Sequence, residues 1–304
     1  SNILIGEQAG YYPAAITGGA NVGIGNEVFK ALTSGGSNTV VGRIACTALT
    51  TGGSNVVVGA EAGIAMTTGT NNTAIGYQTM DAATTGTHNT AVGNHSMGSG
   101  VITGVGNNSV GYAALVALTS GNYNVGLGGF AGTGITTGDN NIIIGFQAGT
   151  AGSPGGNITT EDGQMCLGGD SVTHSFTKVS ISVTSDARDK TDITPLDLGL
   201  DFIKQLKPVT YRWDERSNYS EELDVTPDGT HKKEQLECGF LAQDVEAIEE
   251  QYGYRHADKT NLLPTLTSDE KSYALKYDRL VTILTNAVQE LSAEVEELKA
   301  KLEE

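Results

Sequence analysis

Gly35-Gly36-Ser37-Asn38-Thr39-Val40-Val41-Gly42 returns seventeen residues on as Gly52-Gly53-Ser54-Asn55-Val56-Val57-Val58-Gly59, and again as Gly69-Thr70-Asn71-Asn72-Thr73-Ala74-Ile75-Gly76. The common frame is Asn, three residues, Gly. It occurs at Asn2–Gly6, Asn21–Gly25, Asn38–Gly42, Asn55–Gly59, Asn72–Gly76, Asn89–Gly93, Asn107–Gly111, Asn124–Gly128 and Asn141–Gly145, with spacings of 19, 17, 17, 17, 17, 18, 17 and 17. From the second copy on, a Gly stands three residues before each Asn, from Gly18 to Gly138. Such regularity means stacked units, each touching mainly its neighbours. This half of the chain is therefore a rod or platform rather than a pocketed enzyme.

The three residues between Asn and Gly are mostly β-branched, as in Val56-Val57-Val58 and Ile142-Ile143-Ile144, which favours a strand. Turn clusters precede them, and a second, small, partly apolar segment follows, as in Glu61-Ala62-Gly63-Ile64-Ala65-Met66. One unit reads as strand, turn, short strand, turn. Seventeen residues is too short for the helical repeats and fits one coil of a parallel β-roll or β-helix. Coils about 4.8 Å apart give nine rungs a length of roughly 40 Å. Asn in the same place on every rung can form an amide ladder, and the Gly after each strand permits a corner or a close backbone approach. So thin a coil buries little apolar surface, so several chains are expected to share one core.

The chain changes character near residue 185. Residues 1–184 hold 37 of the 41 glycines, with 3 Lys/Arg and 8 Asp/Glu; residues 185–304 hold 15 Lys/Arg and 27 Asp/Glu. That shift divides the chain into two architectures. The net charge of −17 argues against nucleic acid as a partner, because phosphate backbones are repelled. No apolar run is long enough for a membrane span, and no leader is visible; the first repeat is entered at Asn2, as in a fragment of a longer protein. Cys46, Cys166 and Cys238 lie far apart and the five histidines are scattered, so neither a metal site nor a disulfide framework nor a cofactor is expected.

In the second part, Leu198–Leu206 has helical apolar spacing and ends at Lys207-Pro208. Val209–Trp213 alternates as a strand, Asp214–Glu237 is a polar loop or hairpin turning at Pro227-Asp228-Gly229, Cys238–Leu241 is a short strand, and a helix starts at Ala242. Earlier, Gln164–Gly168 reads as a degenerate last rung and Lys178–Val183 as a strand. From Tyr277 the apolar residues Val281, Leu284, Val288, Leu291, Val295, Leu298 and Leu302 fall in heptads, the seam of a self-associating coiled coil.

Two resemblances follow from these motifs. Asn72–Gly76 and Asn89–Gly93 are similar to the head repeats of trimeric autotransporter adhesins, trimers of left-handed parallel β-rolls whose repeat is somewhat shorter; the resemblance covers roughly residues 1–150. Ser185-Asp186-x-Arg188-x-Lys190, Lys207-Pro208-Val209-x-Tyr211, Gly239-Phe240-Leu241-Ala242-Gln243-Asp244-Val245 and Tyr277-x-x-Leu280, in that order, resemble the C-terminal intramolecular chaperone of phage tail fibres and of the endosialidase tailspikes. The resemblance covers nearly all of 185–304.

It implies an auto-processing peptidase that trimerises the fibre, guides its β-structure into register and releases itself by a cut between Thr184 and Ser185, with Ser185 as nucleophile and Lys190 as general base. A serine needs a base to become nucleophilic, and lysine serves only as the neutral amine; Arg188 favours that form, while Asp186 and Asp189 oppose it. The family often has Asn where Asp192 stands.

The expected organisation is an all-β solenoid over 1–150, a transitional β segment over 151–184, an α+β chaperone domain over 185–276 and a trimeric coiled coil over 277–304. The implied protein is the distal, receptor-binding part of a phage tail fibre in the virion. It would be a homotrimer whose partners are a host surface receptor, such as a glycan, and the rest of the tail, with the chaperone shed in the host cytoplasm after assembly. Two other readings are a glycan-degrading tailspike, which needs paired carboxylates among the eight acids of the rod, and a bacterial trimeric adhesin.

Overall fold

The structure is a computed structural model that describes residues 1–11, 15–172, 174–178, 181–220 and 223–303. The chain forms two compact units, Ser1–Thr173 and His174–Glu304.

The first unit is a parallel β-solenoid. Its strands are β1 (Ile3–Ile5), β2 (Val22–Ile24), β3 (Thr39–Val41), β4 (Val56–Val58), β5 (Thr73–Ile75), β6 (Thr90–Val92), β7 (Asn108–Val110), β8 (Val125–Leu127), β9 (Ile142–Ile144) and β10 (Met165–Leu167). They form one ten-stranded sheet in chain order. The register repeats from rung to rung: Val40 pairs with Val57, and Val57 with Ala74. The degenerate segment at 164–168 is the last rung, β10, paired with β9.

The asparagines do form a ladder. Asn38 Nδ2 donates to Asn21 Oδ1 at 2.9 Å and to the Gly52 carbonyl at 3.0 Å, while its backbone N–H donates to the same Asn21 Oδ1. Asn55 repeats the pattern on Asn38. From Asn21 to Asn141 these side chains are buried. At the far end Asn141 Oδ1 accepts from the Gln164 N–H. A buried amide is tolerated because both its donor and its acceptor are used.

The glycine after each strand has a steric reason. Gly42 has φ +153, and a Cβ there would lie 2.0 Å from the Gly59 carbonyl oxygen of the next rung. Stacking at this spacing leaves no room for a side chain.

Among the described residues the second short strand expected in each coil is absent. Its place is taken by turns in which positive φ recurs at every other residue, as at Ile44 (φ 50) and Cys46 (φ 47). Their N–H groups still bind neighbouring coils, Ile44 to the Asn26 carbonyl on one side and Cys46 to the Ala62 carbonyl on the other. The sign change in φ curls the chain, so it closes the coil without becoming extended.

One chain also fills its own coil interior, which the small coil had argued against. Val40, Val57, Met66, Met80, Met97, Leu115 and Ile143 belong to a continuous buried core. The fit is complementary in most coils: where the strand centre is small the residue six positions on is large, as for Ala74 with Met80, Ala91 with Met97 and Gly23 with Phe29, whereas Gly126 is followed by Gly132 and Leu115 of the preceding coil fills the space. A Cβ on Gly23 would meet the Phe29 ring at 2.7 Å. In other coils a large strand centre goes with a later glycine, as for Val57 with Gly63 and Ile143 with Gly149, while Val40 goes with the small Cys46.

The second unit is a small α/β region ending in a long helix. The strand expected over 178–183 lies partly on residues 179 and 180, outside the described residues; Ile181–Val183 has no strand assignment. Helix α1 (Leu200–Gln205) leads to β11 (Val209–Tyr211), which pairs antiparallel with β12 (Glu237–Gly239). Helix α2 (Ala242–Glu249) follows, then a hairpin that the sequence reading missed, β13 (Pro264–Leu266) with β14 (Tyr273–Leu275). A 3-10 turn at Tyr277–Arg279 opens into α3 (Leu280–Glu303).

The core of this unit gathers Leu198, Phe202, Val245, Ile248, Leu263 and Ile283. Polar side chains tie it together. Glu249 is fully buried and accepts from the Leu262 and Leu263 N–H groups. Glu290 accepts from the Leu200 N–H at the start of α1, and Asn286 Nδ2 donates to the Leu196 and Leu198 carbonyls. Thus α3 uses Ile283, Ala287, Asn286 and Glu290 to hold α1, while its heptad residues stay uncovered: Val281, Val288 and Leu298 are each about 60 % exposed (64 %, 64 % and 59 %).

Candidate functional site

Residues 181–190 are exposed throughout. The peptide between Thr184 and Ser185 precedes a 3-10 turn at Ala187–Asp189. Asp186 caps that turn by accepting from the Arg188 N–H at 2.9 Å. Its carboxylate also takes the Arg188 guanidinium, at 2.6 Å from Nη2. The Arg188 side chain holds the Asp186 carboxyl below its ordinary range, and Asp186 in turn raises the Arg188 guanidinium. Lys190 N–H closes the turn on the Ala187 carbonyl.

The turn folds the chain back on itself, so that Lys190 Nζ lies 2.6 Å from Ser185 Oγ, as donor to it. Ser185 and Lys190 are thus brought together by five residues of local structure. Asp186 and Arg188 have the task of shaping that turn, which the motif spacing carries but the sequence reading did not separate from electrostatic tuning. The positive charge of Arg188 is compensated by Asp186 rather than directed at Lys190. Asp192 has φ 52, in the left-handed region that Asn and Asp tolerate better than most residues. Asp in place of the family's Asn therefore fits this backbone.

The other three motifs meet elsewhere in the unit. Val209 pairs with Gly239 and Tyr211 with Glu237 in the β11–β12 ladder. The Tyr277 hydroxyl accepts from the Phe240 N–H, and the two rings stack. A Cβ on Gly239 would meet the Tyr277 hydroxyl at 2.5 Å and the Tyr211 ring at 3.4 Å. Strand, glycine and tyrosine are parts of one junction that leads into α3.

Residues 185–254 match the peptidase S74 family, described as chaperone of endosialidase. The chain carries a chaperone-of-endosialidase domain. The match supports a chaperone role of the phage tail-fibre and tailspike type for this domain, and the matched family implies self-cleaving activity in general. No curated protein and no solved structure matches the chain.

Chemistry of the rod outside the chaperone domain is mostly structural. Asp162 accepts from the Asp139 N–H, Asp139 from the Asn122 N–H, and Glu161 from the Thr159 and Thr160 N–H groups. Glu27 pairs with Lys30, and Glu61 with Arg43. Among the described residues no group of three His, Cys, Asp or Glu is placed to hold a metal ion, and no helix is long and apolar enough to cross a membrane. All three cysteines are free.

Proposed function

We propose that this chain is the distal, receptor-binding segment of a phage tail fibre, a homotrimer whose chaperone domain assembles the rod and then cuts itself away between Thr184 and Ser185. The observation that carries the cleavage is the 2.6 Å approach of Lys190 Nζ to Ser185 Oγ, one residue after the bond to be cut. In the reaction, neutral Lys190 takes the Ser185 hydroxyl proton. Ser185 Oγ attacks the Thr184 carbonyl carbon, the peptide C–N bond breaks, and the proton passes to the departing Ser185 amino group. Water then hydrolyses the ester, leaving a Thr184 carboxylate and a free Ser185 N-terminus.

The exposure of both side chains in the single chain bears on timing. Lysine becomes a base when burial or positive charge disfavours its ammonium form. A neighbouring chain that covers residues 185–190 supplies the burial, so cleavage follows assembly. Assembly in turn needs a template, because slipping the rod by one rung leaves nearly the same contacts. Seven uncovered heptad residues of α3, from Val281 to Leu302, provide that template as a parallel trimer. The receptor is a host surface structure, such as a glycan, and the uncleaved fibre continues into the rest of the tail.

The test is intact mass under denaturing conditions, wild type beside Ser185→Ala and Lys190→Met. Two fragments from the wild type, the second beginning at Ser185, with both variants whole, is the expected result. A wild type that stays whole while forming a folded oligomer would leave a permanent clamp and remove Ser185 and Lys190 from any catalytic role.

A further inference from the structure

The outward side of the solenoid sheet carries one apolar column along its whole length. Counting from the ladder asparagine, strand positions one and three point away from the coil interior, and the residue after the corner glycine is position five. The position-three column is aliphatic in all ten rungs; Ile24, Val58, Ile75, Val110, Leu127 and Ile144 are each 37–44 % exposed. The columns on either side are mixed. Position one mixes apolar residues such as Val22, Val56, Val125 and Ile142 with Thr39, Thr73, Thr90 and Asn108. Over the five rungs from Tyr77 to Phe146, position five holds exposed Tyr77, Tyr112 and Phe146 with Asn94 and Gly129 between them; the first four rungs carry Glu7, Asn26, Arg43 and Ala60 there.

Ten rungs by the width of five residues is a stripe of roughly 45 Å by 13 Å, about 600 Å². That whole area, polar edges included, is near the ~800 Å² per partner of a stable interface, with the aliphatic column at its centre. The stripe has the rung spacing of the solenoid itself, so a parallel copy in register presents the matching spacing at every level.

A ring of identical chains uses two different patches on each chain, one for each neighbour. Interfaces are most apolar at their centre and more polar at the edge. We propose that the position-three column lines the axis of the trimer, and that the position-one edge of each chain packs against the position-five edge of the next. This rests on the trimer reading above. The bulky residues on alternate rungs of position five add a register signal over five rungs: a slip of one rung sets Tyr77, Tyr112 and Phe146 where Asn94 and Gly129 had been, while the remaining contacts stay nearly the same.

The test uses the full chain with Ser185→Ala and Cys238→Ser, so that it stays whole and loses its exposed thiol. Thr73→Cys with Tyr77→Cys is treated with a short bismaleimide and run on a denaturing gel. A covalently linked trimer from the double variant, with little from either single variant, is the expected outcome. Thr90→Cys with Asn94→Cys repeats the test one rung along, should the first pair disturb folding. Light scattering before treatment separates the two claims. A trimer in which neither double variant links, or in which the single variants link as well as the double, overturns the edge pairing and leaves the trimer standing. A monomer overturns both. Thr68→Cys, exposed and away from the stripe, should stay unlinked; its linking into covalent dimers, the most that one thiol per chain allows, would place the interface on another face.

Discussion

Removing one rung of the ladder by Asn72→Ala is expected to be among the most damaging single changes in the rod. Asn72 Nδ2 donates to the Gly86 carbonyl at 2.8 Å and to Asn55 Oδ1 at 3.2 Å, and its Oδ1 accepts from the Asn89 N–H at 3.0 Å. Alanine leaves the Asn89 N–H and the Gly86 carbonyl inside the coil without these partners, while Asn55 Oδ1 still receives the residue-72 N–H. Each stranded buried group costs about 1–3 kcal/mol, so the sum is ~2–6 kcal/mol per chain. For a unit of this size that lowers Tm by between about 4 and 24 °C. The adjacent residue is the control. Asn71 is exposed, with φ 57, at a place where another coil has Gly106, so Asn71→Gly keeps the backbone and should shift Tm by no more than about 2 °C. The assay is thermal unfolding followed by circular dichroism on the Ser185→Ala background, which keeps every sample whole. An Asn72→Ala rod melting within about 2 °C of its parent would refute the claim that the ladder is a principal source of stability.

Three further outcomes can be checked separately. Burial pushes the Cys46 thiol up from 9.0 to about 12, so the folded state favours the protonated thiol; that stability is complete below pH 9.0 and is lost as pH rises toward 12, and Cys46→Ala should flatten this alkaline limb of Tm against pH. At mildly alkaline pH a thiol reagent should titrate exposed Cys238 in the native chain and reach Cys46 and Cys166 only on unfolding. Desolvation raises the Asp81 carboxyl above its ordinary value, and its Oδ1 is buried without a hydrogen bond; its contribution is fully present below the ordinary carboxylate pKa and lost as pH rises, so Asp81→Ile, which copies Ile64 of the preceding coil, should raise Tm by about 2–4 °C at about pH 7 and by little at about pH 3. Gly239→Ala should destabilise the chaperone domain by ~1–3 kcal/mol in denaturant unfolding, because the new methyl meets the Tyr277 hydroxyl; Tyr277→Phe, which also removes the acceptor of the Phe240 N–H, should cost less beside Gly239→Ala than alone, and equal costs in the two backgrounds would exclude that clash as the cause.

Much of the rod is legible in one dimension. The Asn and Gly columns and the three apolar residues between them follow from the repeat, because stacked coils place equivalent residues in direct contact. The pairing of Ala74 with Met80 and of Val57 with Gly63 was present in the same repeat and went unread, since it shows only when two columns are compared for volume. The alternating φ of Ile44 and Cys46 could not be read: no residue type there demands a positive φ, and tertiary closure of the coil imposes it. In the chaperone domain the hairpin of β13 and β14 was hidden because Pro264–Leu266 and Tyr273–Leu275 are too short to show a period.

The sequence by itself determined the repeat, the boundary between the glycine-rich and charged parts and the heptad seam; Ser185 and Lys190 came from the family resemblance of their motif. These are local or periodic, and spacing along the chain carries them. Tertiary structure alone decided that one chain fills its own coil, that Glu249 and Glu290 are spent on holding backbone N–H groups, that Arg188 belongs to Asp186, and that Gly239 makes room for Tyr277. Each of these depends on which distant atoms come within a few ångströms of each other, and the order of residues does not state that distance.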